Sequence, residues 1–266
     1  MLRDIKLVAI DLDGTLLDND YVISTRAKQA IKRVRSEGVE VTLCTGRMYR
    51  SALPYAQELG LALPLITYQG AMVKNSGTGE VLYERFVPAV WAREVIKLGK
   101  DWGFPVNLYY EDDLYVEEAT PMGRLYASRV GVKMHEVGDL LEFVSDGPIK
   151  LLAIEKNEAR LEGFEQVCRE KFADNLYITR SMPEYLEFLH PEATKGRGLS
   201  AVAMSEGISA AQVMAIGDSY NDLEMFAYAG FSVAMGNARP EIKEKADYIT
   251  TANEDDGVAE ALNKFC

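Results

Sequence analysis

Cysteine, histidine and tryptophan are scarce in this 266-residue chain, at three, two and two residues. Cys44, Cys168 and Cys266 are too few and too scattered for a disulfide framework, and none belongs to a CxxC pair. That excludes a disulfide-stapled fold and points to a reducing compartment. His135 and His190 show no metal-ligand spacing, so neither is assigned a catalytic role. Long hydrophobic runs are also missing. No window approaches the roughly 18 apolar residues of a membrane span. The apolar stretch within Met1–Gly14 is too short for a secretory leader and ends in two carboxylates, so a cytoplasmic location is expected. Positive charge is in deficit, with 29 Lys and Arg against 41 Asp and Glu, a formal net charge of -12. Such a surface repels nucleic acid and anionic lipid, and neither is expected as a partner. It also repels phosphorylated metabolites at long range. Any phosphate site must therefore concentrate positive charge locally, and a divalent cation would supply it. Repeats, low-complexity tracts and Pro/Ser-rich linkers are absent, so crossings between domains must be short.

What is present is a globular composition, 48% hydrophobic and 26% charged, enough for one large domain or two ordinary ones. Leu7–Ile10 is a continuous apolar run and reads as a buried parallel strand. Ser24–Glu37 has helical spacing, with Ser24 as N-cap and Gly38 as C-cap. Strand 39–43, a helix over 49–59 and strand 65–67 follow. Strand–helix alternation of this kind predicts a doubly wound α/β sheet. The C-terminal part repeats it: helix 196–206, strand 213–216, helix 222–228, strand 231–234 and a last helix from about 257. The middle differs. Strand-like pieces at 106–109, 114–116, 150–154, 176–180 and 185–189 alternate with helices over 90–100 and 159–171. This predicts an α+β domain, residues 85–190, inserted into an α/β core made of 1–84 and 191–266.

Four clusters carry chemistry. Asp11-Leu12-Asp13-Gly14-Thr15 follows the first strand, where open α/β sheets bind ligands. Two carboxylates so close repel each other unless a cation holds them, and hard oxygen ligands suit Mg2+. An Asp-Gly turn is the plain alternative. Gly217-Asp218-Ser219-Tyr220-Asn221-Asp222 follows another buried strand. There Asp218 reads as a metal ligand and Asp222 as its supporting carboxylate, with helix capping as the alternative for Asn221 and Asp222. Cys44-Thr45-Gly46-Arg47 joins a strand to a helix, and its hydroxyl and glycine N–H suit a phosphate. Arg47 either adds charge there or is solvated on the first helical turn, the second being favoured, and Cys44 reads as buried filler. Lys195, before Gly196, matters only because the other clusters need a counter-charge.

Together these residues resemble the haloacid dehalogenase (HAD) superfamily of phosphotransferases. The match extends to its Cof-type branch of sugar- and cofactor-phosphate phosphatases, through Ala246-Asp247-Tyr248 and Asp256-Gly257-Val258-Ala259 as well. It spans nearly the whole chain, including an inserted C2-type cap where the middle domain falls. The resemblance implies a Mg2+-dependent phosphatase of a small phosphorylated metabolite, working through an aspartyl-phosphate. Asp11 would be the nucleophile, and Asp13 the acid and base. Mg2+ would lie between the carboxylates of Asp11 and Asp218 and the backbone carbonyl of Asp13, supported by Asp222. Leu12, Thr45, Gly46, Lys195 and Asn221 would hold the phosphoryl oxygens. Retention of Asp13, two residues after the nucleophile, is what implies a hydrolase. There are two departures from the branch: Gln69-Gly70 stands where Asn-Gly is frequent, and Ser219 where Asn frequently follows the Asp. A phosphotransferase or mutase, or a non-catalytic phosphometabolite sensor, is the alternative reading. The cap is expected to close over the site. Its Tyr109, Tyr110, Glu111, Arg180 and Tyr185 are given no role, and a monomer or small homo-oligomer is expected.

Overall fold

Leu7–Ile10 (β1) is fully buried along its length, as a strand sandwiched between layers must be. In the computed structural model, which describes residues 4–266, the chain divides into two units. One comprises the chain up to Glu84 together with Thr194–Cys266; the other is Arg85–Ala193.

The first unit begins with β1, followed by Thr25–Ser36 (α1), Glu40–Leu43 (β2), Tyr49–Glu58 (α2) and Pro64–Thr67 (β3). Ser24 caps α1 by accepting the Ala27 N–H at 3.0 Å, and Gly38 ends it at φ +87°. β3 departs from expectation. A single parallel bridge, Cys44 with Ile66, ties it to the end of β2; it then pairs antiparallel with Met72–Asn75 (β4), which pairs with Val81–Glu84 (β5). The cause is the turn at 68–70. Tyr68 and Gln69 are both left-handed, at φ +51° and +59°, so the chain reverses too soon for the crossover a further parallel strand requires.

The second unit contains Ala89–Trp102 (α3), Val106–Tyr110 (β6), Asp113–Val116 (β7), Pro121–Val130 (α4), Met134–Glu136 (β8), Leu140–Phe143 (α5), Lys150–Ile154 (β9), Glu158–Phe172 (α6), Tyr177–Met182 (β10) and Tyr185–Leu189 (β11). Its sheet runs β10-β11-β9-β6-β7-β8, antiparallel except for β7 with β8. Leu108, Leu151, Ala153, Leu186 and Phe188 form one core with Ala92 and Val95 of α3 and with Leu161 and Phe164 of α6. Each fully buried Leu or Phe there contributes about 1.5–3 kcal/mol. Sequence reading did not find α4, although Thr120 caps it, Pro121 starts it and Gly131 ends it at φ +68°. Gly123 in its first turn hides the apolar period. Tyr110 and Arg180 serve the unit itself: the Tyr110 hydroxyl donates to the Asp146 carbonyl, and Arg180 pairs with Glu165.

The first unit resumes with Lys195–Ser205 (α7), Val213–Gly217 (β12), Leu223–Tyr228 (α8), Phe231–Ala234 (β13), Pro240–Lys243 (α9), Tyr248–Ile249 (β14) and Gly257–Phe265 (α10). Its main sheet, β14-β13-β12-β1-β2, is entirely parallel. Leu7 and Ala9 share a core with Leu199, Val202 and Met225 of α7 and α8. Alternation turns Val8 and Ile10 to the opposite face, and both are equally buried. The sheet is therefore covered on both sides, the α/β architecture expected. Register decides where the ends fall: Ile10 lies opposite both Ile216 and Leu43. The residues just past β1, β2 and β12 therefore leave the sheet along one edge. Among the described residues no helix is long and apolar enough to cross a membrane.

Candidate active site

That edge gathers Asp11, Thr45 and Asp218. The Asp11 N–H donates to Ile216 O at 3.0 Å and the Cys44 N–H to Ile10 O at 2.9 Å, so the ladder runs right up to the site. Leu12 is buried, and its carbonyl accepts from the N–H groups of Thr15 and Leu17, which turns the chain back. Gly14 makes the turn possible at φ +79°; a Cβ there would lie 2.6 Å from Asp218 Oδ2. Thr15 donates its hydroxyl to Asp218 Oδ1 at 3.0 Å, and Asn237 Nδ2 holds the Gly14 carbonyl at 2.8 Å. Sequence reading gave neither a role. Thr15 lay in the quoted motif, whereas Asn237 carried no local signal.

Lys195 sits at the N-terminal end of α7, and nothing local requires a buried lysine there. Yet its side chain is fully buried, with Nζ donating to Asp11 Oδ1 at 2.6 Å and to Asp222 Oδ1 at 2.5 Å. Its placement depends on Gly70, which at φ +97° passes so close that a Cβ would lie 2.0 Å from Thr194 O. The other oxygen of Asp222 accepts the backbone N–H groups of Asp218 and Ser219, both at 2.9 Å. Both oxygens are thus engaged, and Asp222 orients the 217–222 loop.

Thr45 Oγ1 accepts the Arg47 N–H at 3.1 Å, and the Thr45 carbonyl accepts the Gln69 N–H, also at 3.1 Å. A Cβ on Gly46 would meet Gln69 Nε2 at 2.4 Å. Gln69 is fully buried and accepts from Asn221 Nδ2 at 2.8 Å. The extra methylene relative to Asn is thus absorbed by a bond to Asn221. Arg47 corrects the favoured of its two sequence readings, that of a solvated side chain. It precedes α2, its side chain is 10% exposed, and it pairs with Asp13. The reason is long-range: its partner is 34 residues away in sequence.

Carboxylate oxygens of Asp11, Asp218 and Asp222 lie within 4.8 Å of one another. Burial pushes the Asp11 carboxyl well above the ordinary carboxylate range; Lys195 pulls against it, while Asp222 and Asp218 add to the rise. Asp218 is raised to about 7, by burial first and then by Asp222, with the Thr15 hydroxyl resisting. Burial works against the charge on Lys195, but Asp11 and Asp222 override it and hold the ammonium well above its usual value. Burial likewise raises the Cys44 thiol far out of the physiological range, so it stays protonated, donating to Lys195 O.

The donor set fits a divalent cation. When all are ionised, three carboxylates against one ammonium leave two negative charges, and a cation would offset the burial that raises Asp11 and Asp218. Beside them Asn221 Oδ1 is buried without a hydrogen-bond donor. An acceptor so placed suits a water held by a cation. The cluster adds Asp222 to Asp11 and Asp218, the two carboxylates expected at the metal. The carboxylate of Asp13 pairs with Arg47, which leaves its backbone carbonyl, the atom expected to face the metal, unaffected by that pairing.

A pH dependence follows. The folded Asp218 binds its proton more tightly than an ordinary aspartate does, so its stabilising contribution is complete below about pH 4. It is lost as pH rises through about 7. The thermal midpoint of EDTA-treated protein should therefore fall between about pH 5 and pH 8. Added Mg2+ should raise it more at the higher pH, and Asp218→Asn should flatten both trends. A Mg2+ increment independent of pH would contradict this account.

A sequence profile described as haloacid dehalogenase-like hydrolase matches residues 8–262. The chain belongs to this family. Among its HAD relatives is the 5-amino-6-(5-phospho-D-ribitylamino)uracil phosphatase YcsE of Bacillus subtilis (strain 168), 34% identical over 266 residues, covering 98% of this chain and 96% of that one. A haloacid dehalogenase-like hydrolase from Bacteroides thetaiotaomicron superposes with a TM-score of 0.86 at 29% identity, over 98% of this chain and 99% of that one. The subclass IIB sugar phosphatase BT4131 shares the fold, with a TM-score of 0.85 at 23% identity over 97% and 98%. The chain is an enzyme, a phosphatase of the HAD type.

Proposed function

We propose that this phosphatase hydrolyses a small phosphorylated metabolite, a sugar or cofactor phosphate, through an aspartyl-phosphate on Asp11. The observation that carries this reading is the Asp11–Lys195–Asp222 array with Asp218 beside it. It holds one carboxylate oxygen fixed at a strand end and leaves negative charge for a divalent cation to balance. The names of YcsE and BT4131 favour a phosphorylated ribityl compound or sugar as the class of substrate.

In this mechanism Asp11 attacks phosphorus as the bond to the leaving oxygen breaks, and Asp13 gives that oxygen its proton. Water then attacks the phosphorus of the aspartyl-phosphate, Asp13 takes the water's proton, and Asp11 is released. Thr45, the N–H groups of Leu12 and Gly46, Lys195 and Asn221 hold the phosphoryl oxygens. Asp11 and Asp218, with the Asp13 carbonyl, would hold Mg2+, and Asp222 would orient them. A bound Mg2+ supplies neutralisation of the phosphoryl charge. The unit 85–193 carries none of these residues.

The test is phosphate release from a panel of sugar and cofactor phosphates with Mg2+ or with EDTA. The reading expects release that EDTA abolishes and Mg2+ restores. Silence across the panel from folded, Mg2+-loaded protein would count against it.

A further inference from the structure

Asp13 stands apart from the other carboxylates. Its side chain is 37% exposed, and both its oxygens face the Arg47 guanidinium. Arg47 Nε donates to Oδ2 at 2.7 Å and Nη2 to Oδ1 at 2.6 Å. A two-pronged bond of this kind sets the plane of the carboxylate as well as its position. Each oxygen gives Arg47 one lone pair and keeps another, where a proton can be carried.

Arg47 is itself held on a built platform. Nη1 donates to the Tyr55 hydroxyl at 3.3 Å. The guanidinium carbon lies 5.4 Å from the Tyr21 ring centre and 5.2 Å from that of Tyr55, within cation–π range of both. The Tyr55 hydroxyl donates to the Tyr21 carbonyl at 3.3 Å, joining the two rings' segments. Tyr21 sits at φ +61°, a conformation a bulky residue adopts only when its surroundings impose it. A solvated arginine needs none of these partners. With three of its five N–H groups engaged, Arg47 is directed at Asp13.

The geometry points to Arg47 as a positioning residue for Asp13, aiming its carboxyl group at the leaving-group oxygen, with Tyr21 and Tyr55 keeping the guanidinium in register. This rests on the reading of Asp13 as acid and base given above. In the first step the substrate P–O bond breaks, the Asp11 O–P bond forms, and the Asp13 proton goes to the departing oxygen. An alkoxide needs that proton. A p-nitrophenolate leaves without it.

The experiment compares kcat/KM, which covers the steps up to departure of the first leaving group, for an alkyl phosphate and for p-nitrophenyl phosphate. Arg47→Ala is expected to lower kcat/KM about 100-fold on the alkyl phosphate and about threefold on the aryl phosphate. Arg47→Lys, which keeps the charge and loses the fork, should show the same split. Tyr55→Phe, which removes only one hydroxyl, should show a smaller split in the same direction; it carries the test if circular dichroism finds Arg47→Ala unfolded. Equal losses on the two substrates in folded variants would overturn the inference, placing Arg47 on the phosphoryl group common to both. Failure of the phosphatase reading itself would look different: wild type would release phosphate from neither substrate.

Discussion

Phosphate release is expected to fall by about 10⁴-fold or more when Asp11 is replaced by Asn. The amide keeps the shape of the side chain and its place at the end of β1, but it cannot form the acyl-phosphate. Nor does it carry the charge that, in the proposed mechanism, would balance a divalent cation together with Asp218. The folded state should not suffer. Asp11 is 4% exposed, and burial alone makes its ionised form costly. Removing one of three crowded carboxylates lowers that cost, so the metal-free variant should melt no lower than wild type at about pH 8. Its gain in melting temperature on adding Mg2+ should shrink. A variant that keeps wild-type turnover would remove Asp11 from the mechanism.

Lys195→Met is expected to be damaging in a second way, through the fold as well as the chemistry. Methionine fills most of the volume of the lysine stem, so the loss is chiefly of charge. Asp11 and Asp222 would then face each other with no cation between them, in a setting where the lysine side chain is fully buried. Breaking a buried pair by removing one partner costs about 3–5 kcal/mol, read as a drop in the denaturant midpoint at neutral pH without metal. Acid should restore part of it, because protonated Asp11 no longer needs a partner. Activity should fall by about 100-fold or more even with Mg2+ present, since the ammonium holds Asp11 in place and, in the proposed mechanism, would also oppose phosphoryl charge. An unchanged midpoint together with normal turnover would contradict the geometry at Lys195.

Much of this was legible in the sequence, for identifiable reasons. The run Leu7–Ile10 and the stretch Val213–Ile216 are buried on both faces, so they show as continuous apolar blocks, and the carboxylates following them mark strand ends. Ser24 and Gly38 announced α1 because caps are local chemistry. What stayed hidden depends on residues distant in the chain. Arg47 reads as an ordinary helix-start arginine until Asp13, Tyr21 and Tyr55 surround it. The burial of Lys195 is dictated by Asp11 and Asp222, and its approach by Gly70. The β4–β5 pair escaped because Met72–Asn75 and Val81–Glu84 are short, and half of β5 is exposed, so neither alternates clearly. The left-handed pair Tyr68 and Gln69 that reverses the chain into β4 has no glycine before position 70 to betray it.

The central claim is a covalent bond between Asp11 and phosphorus, and acid-quenched single-turnover trapping tests it most directly. Enzyme with Mg2+ in excess over a rapidly turned-over phosphate ester would be quenched within one turnover, digested, and its peptides weighed. The account predicts one added phosphoryl group on the peptide bearing Asp11, labile to hydroxylamine and absent from Asp11→Asn. Efficient turnover with no phosphorylated peptide, or with the group on another residue, would contradict it.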